Sequence, residues 1–269
     1  MIDVQEKEKT ELRLKGEEDQ KIQREKRVRI VREYYRHRIH YGHRPNQLNP
    51  KMIPYLYKGL IIKRNARNKG HHMINIRLTN YLLNKTRQLV EKLANKEKIF
   101  LFVGTKLQLK SVVAKQAQRC QQYYINHRWL GGMLTNWQTM EKQLVKLKEL
   151  EGLEQTGALA LLPIKEYNKR LKELNRLRAC LSGIQEMPTL PDMVIVTHLR
   201  KDFIAVQECN SLGIPVIGIV DTDCNPDLVD YVIPANDDST VSVDYILDKL
   251  ASSILKGSEA SSKKREDQG

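Results

Sequence analysis

The run Ile99-Phe100-Leu101-Phe102-Val103-Gly104-Thr105-Lys106 sets the fold class of this 269-residue chain. Its first five residues are all apolar, which leaves no polar side to face water. That is expected of a parallel strand covered on both faces. A glycine ends the run and a helix follows, reaching about Cys120. Strand, turn and helix in this order form the repeating unit of an α/β fold.

The same rhythm extends in both directions. Upstream, Met73 to Ile76 reads as a short strand and Thr79 to Ala94 as a helix, with Leu82, Leu83, Leu89, Val90 and Leu93 at helical spacing. Tyr123 to Asn126 is the next strand. After a break at Pro188 and Pro191 come a strand over Met193 to Thr197, a helix over Phe203 to Leu212, and a strand over Val216 to Val220. A short strand at Tyr231 to Ile233 and an amphipathic helix over Ser239 to Leu255 complete the series. The expectation is a Rossmann-like or flavodoxin-like parallel sheet flanked by helices.

A helical insertion interrupts it. Leu134 to about Leu153 carries Leu144, Leu147 and Leu150; a second helix from about Ile164 carries Tyr167, Leu171, Leu174, Leu177 and Leu181, with Gly157 and Pro163 between. Apolar steps of three and four, separated by Lys, Arg and Glu, are those of a protruding antiparallel coiled-coil hairpin. The expected division is a charged extension over 1–34, helical or disordered, and an α/β domain over 35–137 and 183–256. The hairpin then occupies 138–182, and a disordered tail 257–269.

Charge is unevenly placed. The net formal charge is +14, and residues 21–77 alone hold 16 Lys and Arg against 2 Asp and Glu. Residues 187–256 reverse this, with 4 against 11. A basic concentration of this kind steers a protein to a polyanion and makes its binding depend on salt. No apolar run approaches the ~18 residues of a membrane-spanning helix. Cys120, Cys180, Cys209 and Cys224 lack CxxC spacing, so neither a zinc ribbon nor a disulfide scaffold is indicated. Buried, reduced thiols in a reducing compartment are the expectation.

Between Ile39 and Lys69 the chain is rich in His, Pro, Asn and Gly, the composition of irregular loops that need outside partners. Arg44, Lys51, Lys63, Arg64, Arg67 and Lys69 are candidates for RNA phosphate contacts there. His40, His43, His71 and His72 lack a completing cysteine or carboxylate cluster, so no metal site is assigned to them. Lys106 stands at a strand-to-helix turn that could hold an RNA phosphate, although no G-x-x-x-x-G-K-[ST] or G-x-G-x-x-G occurs. Asn126-His127-Arg128-Trp129 sets donors and a cation beside a flat ring, and Gly131-Gly132 permits a sharp turn. A buried tryptophan before a helix would give the same residues. Asp221, Asp223, Asp227, Asp230, Asp237 and Asp238 crowd the ends of the last strands. Turn formation and capping of the final helix by Asp237, Asp238 and Ser239 account for them; the alternative is an α/β enzyme using a nucleotide or Mg²⁺ at the Asp221 to Asp238 cluster.

Asn126 to Trp137 resembles the signature block of the ribosomal protein S2 family of bacteria and organelles. Further blocks agree in order: Ile39 to His43, Asn49 to Met52, Asn65 to Lys69, Phe102 to Lys106, Gly183-Ile184, Leu190 to Asp192, Gly213 to Pro215, and Ile233 to Asp238. The resemblance runs from about Tyr35 to Lys256. Two departures stand out: Leu48 where the family has an aromatic, and extra residues over 1–34 and around Gly59 to Arg64.

The resemblance implies a structural constituent of the small ribosomal subunit without catalytic residues or cofactor. Its partners would be the small-subunit RNA and neighbouring small-subunit proteins, with no membrane and no small-molecule substrate. Arg44, Lys51, Arg64, Arg67, Lys69, Lys106, His127, Arg128 and Trp129 are the expected RNA-binding residues. Asp221 to Asp227 and Ile233 to Asp238 look most like plastid and cyanobacterial members. With nine acidic residues among the first forty, an organelle transit peptide is disfavoured. A plastid-encoded protein of the chloroplast ribosome is therefore expected, with a bacterial or mitochondrial member as the alternative.

Overall fold

The computed structural model describes residues 25, 28–62 and 70–266. A helix over residues 28–36, α1, comes first. It crosses the boundary expected at residue 34 and buries Tyr34 in the core, so the folded domain begins earlier than composition suggests. Next, β1 (Leu56–Ile62) pairs antiparallel with β2 (His71–Ile74). This ribbon corrects two expectations, since part of the supposed loop region is a strand and the strand near Met73 does not enter the main sheet. Helix α2 (Ile76–Ala94) follows, capped by the Asn75 side chain, which accepts from the N–H groups of Arg77 and Leu78.

The main sheet contains β3 (Phe100–Val103), β4 (Tyr123–Ile125), β5 (Met193–Val196), β6 (Val216–Val220) and β7 (Tyr231–Pro234). All neighbours are parallel, in the order β4-β3-β5-β6-β7. Counted within this sheet the order is 2-1-3-4-5, the flavodoxin-like arrangement. Between the strands lie α3 (Lys110–Arg119), α4 (Trp137–Gln155), α5 (Ile164–Leu181) and α6 (Phe203–Leu212). The last helix is α7 (Thr240–Glu266). It continues through residues expected to form an unstructured tail, because its Gly257 backbone lies directly against α2 and elongating an existing helix needs no new nucleus.

Strand alternation divides the core. Phe100, Phe102, Met193, Ile195, Ile217, Ile219 and Ile233 point to one face, where α2, α3 and α7 bury Leu83, Val90, Val113, Ala117, Ile246 and Leu250. Leu101, Val103, Val194, Val196, Val216 and Val220 point to the other, against Ala205, Val206 and Cys209 of α6. Trp129, Met133 and Leu134 fill the same side. The four cysteines are free.

Helices α4 and α5 pack on each other and on the 3-10 turn Ala158–Leu161 between them. Leu144, Leu147 and Leu150 meet Leu174, Leu177 and Leu181 in a buried seam, which runs without a break into the second face of the sheet. Lys146 lies 2.5 Å from Glu173, and Arg178 lies 3.0 Å from Glu151 and 2.6 Å from Glu154.

Phe102 is fully buried in β3, an interior strand of the sheet. Phe102→Ala should lower unfolding free energy by about 3–5 kcal/mol in urea denaturation, the usual cost of an aromatic-sized core cavity.

Candidate functional site

At the carboxyl ends of the strands the chain must turn, and four of these turns converge. Gly104-Thr105-Lys106 follows β3, Thr197 to Asp202 follows β5, Asp221 to Cys224 follows β6, and Ala235 to Ser239 follows β7. The strand order reverses between β3 and β5, the usual place for a ligand crevice in such sheets. Here side chains bridge it. Thr105 Oγ1 donates to Asp202 at 2.6 Å, Thr105 N–H donates to its other carboxylate oxygen at 3.3 Å, and Lys201 Nζ donates to the Thr105 carbonyl at 3.3 Å. Burial raises the Asp202 pKa against the pull of those bonds.

The early loop lies over this end of the sheet. His43 N–H donates to Thr222 Oγ1 at 2.7 Å, and Asn49 N–H to the Thr222 carbonyl at 2.9 Å. Gly42 is needed for the approach, since a Cβ there would lie 2.4 Å from Thr222 Cγ2. The loop so pinned brings His43 Nδ1 to 3.2 Å from Asp221 and 3.9 Å from Asp223, with Nε2 3.5 Å from Asp238. Contact with Asp221 outweighs burial and pushes the His43 pKa up to about 9, so the ring is a cation at neutral pH.

The carboxylates differ sharply. Asp237 is fully buried, and neither of its oxygens has a hydrogen-bond partner among the described residues. Burial, with Asp221, Asp223 and Asp238 nearby, pushes its pKa well above the usual carboxylate range. Burial works to raise Asp238 too, but its ion pair with Lys106, supported by His43 and His198, holds it below that range. Arg200 lies 3.3 Å from Asp223, and Lys51 pairs with Asp227. Burial and the adjacent Lys106 lower the His198 pKa. His198, Asp237 and Asp238, and likewise Asp223, Cys224 and Asp237, lie close enough together to hold a cation.

Capping of α7 by the aspartates does not occur. Asn236 Oδ1 accepts from the N–H groups of Asp238 at 2.9 Å and Ser239 at 3.1 Å, leaving Asp237 inside and Asp238 on Lys106. The four early histidines form no metal-binding group among the described residues: His71 meets the Gly42 carbonyl at 3.0 Å, and burial lowers the pKa values of His40 and His72.

The expected RNA-binding residues divide by exposure. Arg44, Lys51, His127 and Arg128 are at the surface, with Lys51 paired to Asp227. Arg64, Arg67 and Lys69 lie outside the described residues. Lys106 is partly covered and engaged with Asp238, so its ammonium is not the open phosphate ligand expected at that turn. Trp129 is a correction: it is 7% exposed, packed in the core, and its ring cannot stack on a base.

Glu208 explains why Trp129 is held inside. Its carboxylate accepts from Trp129 Nε1 at 2.9 Å, Gly132 N–H at 2.8 Å, Leu134 N–H at 2.9 Å, and Thr135 N–H and Oγ1 at 3.2 Å. Gly132, at φ +82°, supplies the left-handed turn that aims these donors at one point. Sequence patterning does not single out Glu208, although it sits between Val206 and Cys209 on a core-facing stretch. Such a placement signals a buried charge that requires partners.

The turns at the carboxyl ends of this flavodoxin-like sheet thus hold carboxylates engaged by His43, Lys106 and Arg200, while Arg44 and Arg128 are exposed on the loops. The description "Ribosomal protein S2" belongs to the family profile that matches residues 35–257. Small ribosomal subunit protein uS2c of Guillardia theta is 46% identical over 220 residues, covering 82% of this chain and 90% of the relative. The uS2c protein of Galdieria sulphuraria is 49% identical over 220 residues, with 82% and 90% covered. Small ribosomal subunit protein uS2 of Synechococcus elongatus is 46% identical over 218 residues, with 81% and 84% covered. The chain therefore belongs to the ribosomal protein S2 family, and it is not an enzyme.

Two groups make stability depend on pH in opposite senses. Burial would raise the Glu208 pKa, but its hydrogen bonds, that of Trp129 first, hold it below its usual value. Its contribution is thus present above an unfolded pKa of about 4.3 and lost as pH falls through the lower folded value. Glu208→Gln should cost about 1–3 kcal/mol at pH 7, with the difference from wild type narrowing in acid denaturation series. For His43 the folded pKa is raised, so its contribution is complete below about 6.5 and lost as pH rises through about 9. His43→Gln should therefore destabilise the protein at pH 6 and much less at pH 10.

Proposed function

We propose that the chain is a structural constituent of the small ribosomal subunit that binds small-subunit ribosomal RNA and neighbouring small-subunit proteins. The observation that carries this reading is the separation of charge. Carboxylates at the sheet ends are engaged with His43, Lys106 and Arg200, whereas Arg44 and Arg128 are exposed and form no ion pair among the described residues. Arg44, Lys51, His127 and Arg128 then contact RNA, together with Arg64, Arg67 and Lys69 from the basic segment. Replacing Arg44 and Arg128 with alanine should weaken incorporation into the subunit and reduce its salt dependence, by a log-log slope of roughly 0.7–0.9 for each phosphate no longer neutralised. Unchanged incorporation across a salt series would remove both from the interface.

The pair α4 and α5, which runs from Trp137 to Leu181 against the expected 138–182, is in this reading a projecting coiled-coil arm that docks neighbouring proteins. Leu147→Asp places a carboxylate in its apolar seam. Amide exchange should then accelerate in α4 and α5 while β3 and β5 stay protected; equal loosening of those strands would make the arm part of the core.

The uS2c names of the algal relatives support a place in the plastid ribosome. Co-sedimentation with small subunits from purified plastids tests it.

A further inference from the structure

Along α1 the exposed positions are Val28, Arg29, Arg32, Tyr35 and Arg36. Steps of three and four residues place them on one stripe, about 4.5–6 Å apart along the axis. The opposite side is occupied. Tyr34 is buried with its ring 5.5 Å from that of Tyr245, its hydroxyl donates to Asn80 at 3.2 Å, and Glu33 lies 3.8 Å from Lys249. The acidic residue of the helix is thereby committed inward.

Arg29, Arg32 and Arg36 make no ion pair or side-chain hydrogen bond among the described residues. The preceding sequence adds Lys21, Arg24, Lys26 and Arg27. Beside Arg29, Arg32 and Arg36 stands an aromatic: Tyr35 is 43% exposed, and its ring is backed by His40 at 4.3 Å, which in turn lies 4.3 Å from Tyr41. His40 is itself buried, so this ring is braced from beneath rather than free to swing.

We propose that this stripe docks an unpaired segment of RNA, with Arg29, Arg32 and Arg36 on phosphates and one base laid against Tyr35. A solvated arginine face alone would accept any polyanion; the braced ring selects for a strand whose bases are unstacked and available. A duplex offers phosphates but keeps its base faces covered. The stripe shares no residue with Arg44, Lys51, His127 and Arg128, and its arginines precede or border Tyr35, where the family match begins. It rests on the ribosomal reading only for the choice of nucleic acid as the anion.

The test uses the full chain and a fluorescein-labelled oligouridine, with the same oligonucleotide annealed to oligoadenosine as the paired control. Fluorescence anisotropy across a salt series should give a log-log slope that falls by about 2 in R29A/R32A/R36A, at roughly 0.7 per single-strand phosphate. Tyr35→Ala should weaken the single strand about tenfold while Tyr35→Phe preserves it, since stacking needs the ring and not the hydroxyl. Thermal melting of the triple arginine variant and of Tyr35→Phe should match wild type, because the arginine side chains are exposed and the ring on His40 is kept. The proposal is overturned by an unchanged slope in the triple variant. Equal binding of strand and duplex with Tyr35→Ala neutral overturns it too, as does equal displacement of the oligouridine by polyglutamate. The Arg44 and Arg128 variant separates the two ideas: if it loses subunit incorporation while the stripe variants keep full oligouridine binding, the stripe is wrong and the ribosomal reading stands.

Discussion

A single carboxylate, that of Glu208, gathers the donors of Trp129, Gly132, Leu134 and Thr135 around itself from the middle of α6. Charge-assisted bonds of this kind are about twice as strong as neutral ones, and a buried carboxylate without them would be expelled or neutralised. The consequence reaches beyond one turn. The segment it holds lies between β4 and α4, so the path by which the chain leaves the sheet, forms the two-helix insertion and returns to β5 starts from this anchor. Trp129 and Met133 complete the core beneath it.

At the ends of the strands the constraint is electrostatic. His43 arrives from the opposite end of the sequence and meets three aspartates, and Lys106 and Arg200 engage the same group. The acidic groups from β6, β7 and their turns thus persist in a small volume because three loops bring cations to them and because burial pushes the Asp237 pKa well above the usual carboxylate range. The result is an internally compensated end to the sheet, which leaves the exposed arginines of other loops free to act on outside anions.

Much of the fold was legible because buried parallel strands have an unmistakable composition. Ile99 to Val103, Met193 to Val196 and Val216 to Val220 are apolar but for a single glycine, and the structure places all three at the centre of the sheet. The ribbon β1–β2 was not legible, since Lys58, Gly59, His71 and His72 have little strand preference and no local pattern shows the pairing of Ile61 with His72 and of Ile62 with His71. At the site, sequence displayed the aspartates but not the cations that meet them. Asn126 to Trp129 illustrates the limit: His127 and Arg128 are exposed while Trp129 is inside, and only Glu208, far along the chain, determines which way the ring turns.

Helix α2 has its closest companions in β7 and α7. A polypeptide is made from its amino end, so this helix emerges early, whereas both elements that cover it emerge last. Leu83, Val90 and Ala94 therefore stay uncovered for most of synthesis, as does Tyr34, which waits for Tyr245. The newborn chain carries an adhesive flank until α7 leaves the exit tunnel. Closure of α2 by β7 and α7 ends this vulnerable interval, and a product truncated before β7 would keep the flank exposed to chaperones and proteases.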